Sequence, residues 1–174
     1  MKNLNTYISE KLKIKKNSNN NKVVNNLDEL IDEIDLRLDK CKHDKIINLD
    51  LSGIDVSDVK RLNDLFLPNL RNRNASKFNL LKRKIKTINV LNWDVSNCID
   101  LSATFYGLIN LEEIIGIEDW DISNVLNMWA TFAHCPKLKL NLEKWDISNL
   151  CANLCATNLI TEKSPYVKIP GLEI

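Results

Sequence analysis

One short motif recurs along this chain and limits what the chain can fold into. Trp120-Asp121-Ile122-Ser123-Asn124 is repeated as Trp93-Asp94-Val95-Ser96-Asn97 and as Trp145-Asp146-Ile147-Ser148-Asn149. A first, altered copy reads Ile54-Asp55-Val56-Ser57-Asp58. Trp93 to Trp120 is 27 residues, Trp120 to Trp145 is 25, and Ile54 to Trp93 is 39. A unit this short cannot bury its apolar face alone, so copies must stack and share one core.

Each copy is preceded by alternating apolar residues: Ile47, Leu49, Leu51; Ile88, Val90; Ile115, Ile117; Leu138, Leu140, Leu142. Alternation predicts half-buried strands. Ser96, Ser123 and Ser148 are then expected as helix N-caps, because a serine hydroxyl can accept from an unpaired backbone N–H. Apolar residues follow at spacings of three and four: Val125, Met128, Phe132; Cys98, Leu101, Phe105; Val59, Leu62, Phe66. That spacing predicts a short helix after each turn. The expected class is α/β, with about four strand–helix repeats, a parallel sheet on one face and right-handed crossovers.

The expected organisation is a leader helix and polar linker over 1–22, then a single repeat domain over 23–174. Leu27, Leu30, Ile31, Ile34, Leu38 and Cys41 make one helical stripe, so residues 26–41 are read as an N-terminal capping helix that Asn25 or Asn26 can start. The repeats are placed at about 45–157 and a C-terminal cap or further strand at 158–174. The last copy degrades, with Asn153 and Thr157 where Met128 and Phe132 stand. Net charge is +1, so any electrostatic role must come from local patches. The basic insertion 71–86 holds one such patch: Arg71, Arg73, Lys77, Lys82, Arg83, Lys84 and Lys86, with no acid among them. In the leader, Leu4, Tyr7, Ile8 and Leu12 are the apolar positions of a short amphipathic helix. Docking on the domain, partner binding and disorder all stay open for it.

The five cysteines are odd in number and irregularly spaced, which points to free thiols in a reducing compartment. No run suits a membrane span, and the N-terminus has no continuous apolar core of an export signal. The expected setting is a virion or the host cytoplasm.

Trp120 to Phe132 matches nearly every position of a Trp-Asp-Val-Ser-Asn-Val-x-x-Met-x-x-x-Phe unit. It resembles the BspA-type leucine-rich-repeat family, the Mycoplasma-type surface-protein repeat. The resemblance spans about residues 24–155 and implies a leucine-rich-repeat-like solenoid with a binding role and no enzymatic activity. Family members are often secreted or lipid-anchored. The leader resembles N-terminal peptides on proteins of large tailed bacteriophages, some of which direct internal proteins into the capsid.

Candidate chemistry is sparse. Trp93, Trp120 and Trp145 form either an exposed aromatic ladder for carbohydrate or peptide, or a structural spine. Asp94, Asp121 and Asp146 form either a calcium column or a set of turns that satisfy backbone donors. His134, Cys135, Cys151 and Cys155 lack the spacing of a zinc knuckle, and no cofactor or metal is expected. No acid and base pair with a reaction attached, so no enzyme is expected. The leading expectation is a phage-encoded, non-enzymatic protein-interaction module that presents its sheet face or the basic insertion to a protein partner, either a phage capsid protein or a host protein. Two alternatives are a virion component directed by the leader, and a binder of nucleic acid or another anionic partner through residues 71–86. No membrane partner is expected.

Overall fold

The computed structural model describes residues 22–67, 75–150 and 163–169. Helix α1, Leu27–Lys40, comes just after a two-residue strand at Lys22–Val23. The Asn26 side chain accepts from the Glu29 N–H at 3.0 Å, and the Glu29 carboxylate accepts from the Asn25 N–H at 3.0 Å. Two otherwise unpaired amides are thereby satisfied. Leu30, Ile31, Ile34 and Leu38 are buried on one face. Arg37 donates to the Asp50 carbonyl at 2.6 Å and to Glu33 at 2.8 Å, which covers a carbonyl at the end of a strand.

The strands among the described residues are β1 (Lys22–Val23), β2 (Ile47–Asp50), β3 (Ile54–Asp55), β4 (Ile85–Asn89), β5 (Glu113–Ile115), β6 (Leu140–Asn141) and β7 (Val167–Lys168). All pairings are parallel: β1 with β3, β2–β4–β5, and β6 with β7. Helix α2, Ala75–Lys82, lies in the insertion and buries Phe78 and Leu81.

The expected right-handed leucine-rich-repeat-like solenoid of strand–helix repeats is overturned. Among the described residues there are two α-helices, and neither follows a Trp-Asp-x-Ser-Asn turn. The strands form separate sheets of two, three and two strands in place of one continuous sheet. The reason lies in the backbone after each turn. Val125 donates to the Ile122 carbonyl at 2.9 Å, Thr131 to Met128 at 3.2 Å and Ala133 to Ala130 at 3.1 Å, so the chain runs as successive tight turns. Between them, amides reach the neighbouring copy: Leu126 to Ile99, Leu101 to Asn127, Ala103 to Trp129 and Phe105 to Thr131. Asp64, Ala103 and Ala130 have φ of 60°, 51° and 56°, where an α-helix needs about −63°. Turns of this size place every third or fourth side chain inward, which is the spacing that imitates a helix.

The core is ordered by aromatic columns. The Trp93 and Trp120 rings lie 6.1 Å apart and those of Trp120 and Trp145 6.4 Å apart, each pair tilted by 6°. Phe66, Phe105 and Phe132 form a second column at 6.0 and 5.8 Å. All six side chains are buried, and each fully buried aromatic ring stabilises by several kcal/mol, about 25 cal/mol per Å² removed from water. The motif's Asn residues tie copies together. Asn97 donates to the Ser57 carbonyl at 3.1 Å, Asn124 to Ser96 at 2.8 Å, and Asn149 to Ser123.

Candidate binding groove

The motif residues are scaffold by position. Trp93, Trp120 and Trp145 are about 95% buried, so they present no aromatic ladder to solvent. Trp93 Nε1 donates to the Leu51 carbonyl at 3.0 Å and Trp145 Nε1 to Ile117 at 3.2 Å. Trp120 Nε1 is buried without a hydrogen-bond partner. Its copy differs locally: Gly116, at φ 87°, leads into a short 3-10 helix, Ile117–Asp119.

Ser96, Ser123 and Ser148 do not cap helices. Their backbone amides donate to Asp94, Asp121 and Asp146 at 3.0, 3.0 and 2.9 Å. These are Asx turns, in which the aspartate satisfies a local donor. The hydrogen bonds hold the three carboxyls below the usual aspartate range, led by the serine side chain at Asp94 and Asp121 and by the backbone amide at Asp146. Among the described residues, no group of three or more His, Cys, Asp or Glu is placed to hold a metal. Cys135 is buried, donates to the Phe105 carbonyl at 3.0 Å, and has its pKa pushed up to about 11 by desolvation. At neutral pH it is a neutral core thiol.

Four described lysines of the basic insertion are engaged with their own chain. Lys77 pairs with Asp39 at 2.5 Å and Lys86 with Glu112 at 3.2 Å. Lys84 donates to the Lys42 carbonyl at 3.0 Å. Lys82 is buried and donates to the Phe66 and Tyr106 carbonyls at 3.1 and 2.8 Å, tying α2 to the core. Arg83 is exposed, and Asn110 donates to its carbonyl at 2.8 Å. Arg71 and Arg73 lie outside the described residues, as do the leader positions Leu4, Tyr7, Ile8 and Leu12, the thiols Cys151 and Cys155, and the altered last copy at Asn153 and Thr157.

Among the described residues, a recess lies elsewhere. An open groove of about 1070 Å³ is lined by Thr87, Glu112, Glu113, Pro136, Lys137, Lys139, Pro165, Tyr166 and Lys168. Backbone bonds set its walls side by side. Lys139 donates to the Glu112 carbonyl at 3.1 Å, Leu140 to Tyr166 at 3.1 Å, and Leu142 to Lys168 at 2.8 Å. Leu138, Leu142, Val167 and Ile169 point into the core, so alternation turns Lys137, Lys139, Tyr166 and Lys168 outward. Tyr166 is 56% exposed, with the Lys139 ammonium 6.0 Å from its ring centroid. Glu113 is half-buried, and desolvation, then the Glu118 charge, raises its pKa above the usual range.

Sequence reading missed this groove. Its signal was the outward set of the same alternating runs, where Lys137 and Lys139 interleave with Leu138 and Leu140. No helix among the described residues is long and apolar enough to cross a membrane. No curated protein and no solved structure matches the chain. Residues 73–154, from the insertion through the Trp93, Trp120 and Trp145 motifs, match the family model described as Mycoplasma protein of unknown function, DUF285.

Proposed function

We propose that this chain is a non-enzymatic protein-interaction module and that its partner docks in the groove walled by Glu113, Lys139, Tyr166 and Lys168. The observation that carries the reading is the exposure of Tyr166 beside outward lysines in a recess of about 1070 Å³. An accessible tyrosine with a polar tip and an apolar ring is typical of a binding surface. The resemblance of Trp120–Phe132 to BspA-type repeats supports the same class. The engagement of Lys77, Lys82, Lys84 and Lys86 within the chain favours this groove over the insertion as the contact surface.

The test is photo-crosslinking in source cells from a reactive residue placed at Tyr166 or, as a control, at the exposed Lys144. A discrete adduct from position 166 that is absent from position 144 is expected. No adduct, or the same adducts from both positions, contradicts the reading.

A further inference from the structure

We infer that the groove takes an extended, acidic peptide segment bearing an aromatic or aliphatic side chain. The inference rests on the interaction reading above and adds the chemistry of the partner.

The charge balance of the lining points to carboxylates. Glu112 is matched by Lys86 at 3.2 Å. Lys137 donates to the neutral Asn110 side chain at 2.6 Å, which orients its charge without cancelling it. Lys139 stands over Tyr166, and Lys168 is exposed on β7. These three lysines line the groove together with Glu113, whose carboxyl is partly desolvated. The surplus is positive on a chain whose net charge is +1. Exposed complementary charges of this kind steer encounter and choose the partner.

The shape points to an extended chain. The walls are neighbouring segments at 112–113, 136–139 and 165–168, joined by the backbone bonds from Lys139 to Glu112 and from Leu140 to Tyr166, and the recess between them is open to solvent. Pro136, Pro165 and the Tyr166 ring supply apolar surface beside the lysines. Glu112 and Glu113 on the same lining disfavour a continuous polyanion such as a nucleic acid, because closely placed phosphates would meet them. A peptide with discrete carboxylates can place these on the lysines and an apolar side chain on Tyr166.

The test uses the full chain and fluorescence anisotropy. The probes are short labelled peptides of alternating glutamate and tyrosine, glutamine and tyrosine, or lysine and tyrosine, with a labelled oligothymidylate as fourth probe. The glutamate peptide is expected to bind about tenfold tighter than the glutamine peptide at low salt. That margin should shrink as salt rises, since screened surface charges weaken. Lys139→Glu combined with Lys168→Glu should reverse the preference toward the lysine peptide. Both side chains are exposed, so the variant is expected to fold, and its circular dichroism spectrum should match that of the natural chain. Lys139→Gln with Lys168→Gln should abolish the preference without reversing it.

Equal or tighter binding of the glutamine or lysine peptide by the natural chain overturns the inference. Displacement of the glutamate peptide by oligothymidylate also overturns it and assigns the groove to nucleic acid. If the glutamine peptide binds equally and Tyr166→Ala removes that binding, the interaction reading stands and only the acidic assignment fails. If no peptide binds, the inference fails, and the crosslink from position 166 separately decides the interaction reading.

Discussion

Replacing each motif tryptophan by phenylalanine should give unequal losses of stability, with Trp120→Phe the mildest. The rings of Trp93, Trp120 and Trp145 are 5%, 5% and 4% exposed, so each substitution removes a similar apolar volume from a similar environment. Phenylalanine keeps an aromatic ring in each column, so most of the stacking survives. The difference lies at Nε1. Trp93→Phe and Trp145→Phe each remove a buried bond, to the Leu51 and Ile117 carbonyls, worth about 1 kcal/mol net. Trp120→Phe removes a buried N–H that has no partner and relieves a desolvation cost of about 1 kcal/mol or more. The expected gap is therefore about 2 kcal/mol in favour of Trp120→Phe. Urea unfolding followed by far-ultraviolet circular dichroism measures it, provided the variants share one m-value. Circular dichroism is preferred because these substitutions alter the tryptophan fluorescence itself. Equal losses for the three variants, or the largest loss at Trp120, would refute the reasoning.

Lys82→Met should destabilise by about 2–3 kcal/mol because it strips the charged donor from two carbonyls, whereas Lys84→Met, which loses a single bond near the surface, should cost less than about 1 kcal/mol. Paired urea curves check the contrast. Gly116→Ala should cost more than about 2 kcal/mol, since the new Cβ would sit 2.7 Å from the Leu91 Cα at a φ of 87°. A melting temperature close to that of the natural chain would contradict it. Asp94, Asp121 and Asp146 have folded values below the ordinary aspartate value of 3.8. Their stabilisation is complete above that value and is lost as pH falls through the folded values. Replacing Ser96, Ser123 and Ser148 together by alanine should weaken this acid dependence in a pH series of unfolding curves. An unchanged slope would count against the serine hydroxyls as a source of it, since alanine keeps the backbone bond of each Asx turn.

Legibility in the sequence followed from which groups act locally. The stripe Leu30, Ile31, Ile34, Leu38 behind Asn26 appears as helix α1 because cap, charge and apolar period all agree there. The alternating runs lie in or beside parallel strands, since burial on one face leaves that mark directly. The post-motif helices were misread because Val125, Met128 and Phe132 satisfy a helical spacing while their backbone bonds lie between copies. The left-handed positions Asp64, Ala103 and Ala130 also break the helix, and alanine gives no warning of that. The basic insertion reads as one exposed patch in sequence. Its partners Asp39, Lys42, Phe66, Tyr106 and Glu112 are distant in the chain, so their engagement was invisible. The groove stayed hidden for a similar reason, because three separate segments meet only after the backbone of 139–142 pairs with 112 and 166–168.

The central claim is that the repeated motif is scaffold and that recognition belongs to the groove. Amide chemical-shift mapping of the full chain, titrated with the glutamate–tyrosine peptide, tests it most directly. The account predicts that perturbed amides cluster at Thr87, Glu113, Lys139, Tyr166 and Lys168, while those of Trp93, Trp120 and Trp145 stay in place. Perturbations centred on the Asp94–Asp121–Asp146 turns or on residues 77–84, with the groove amides unmoved, would contradict it.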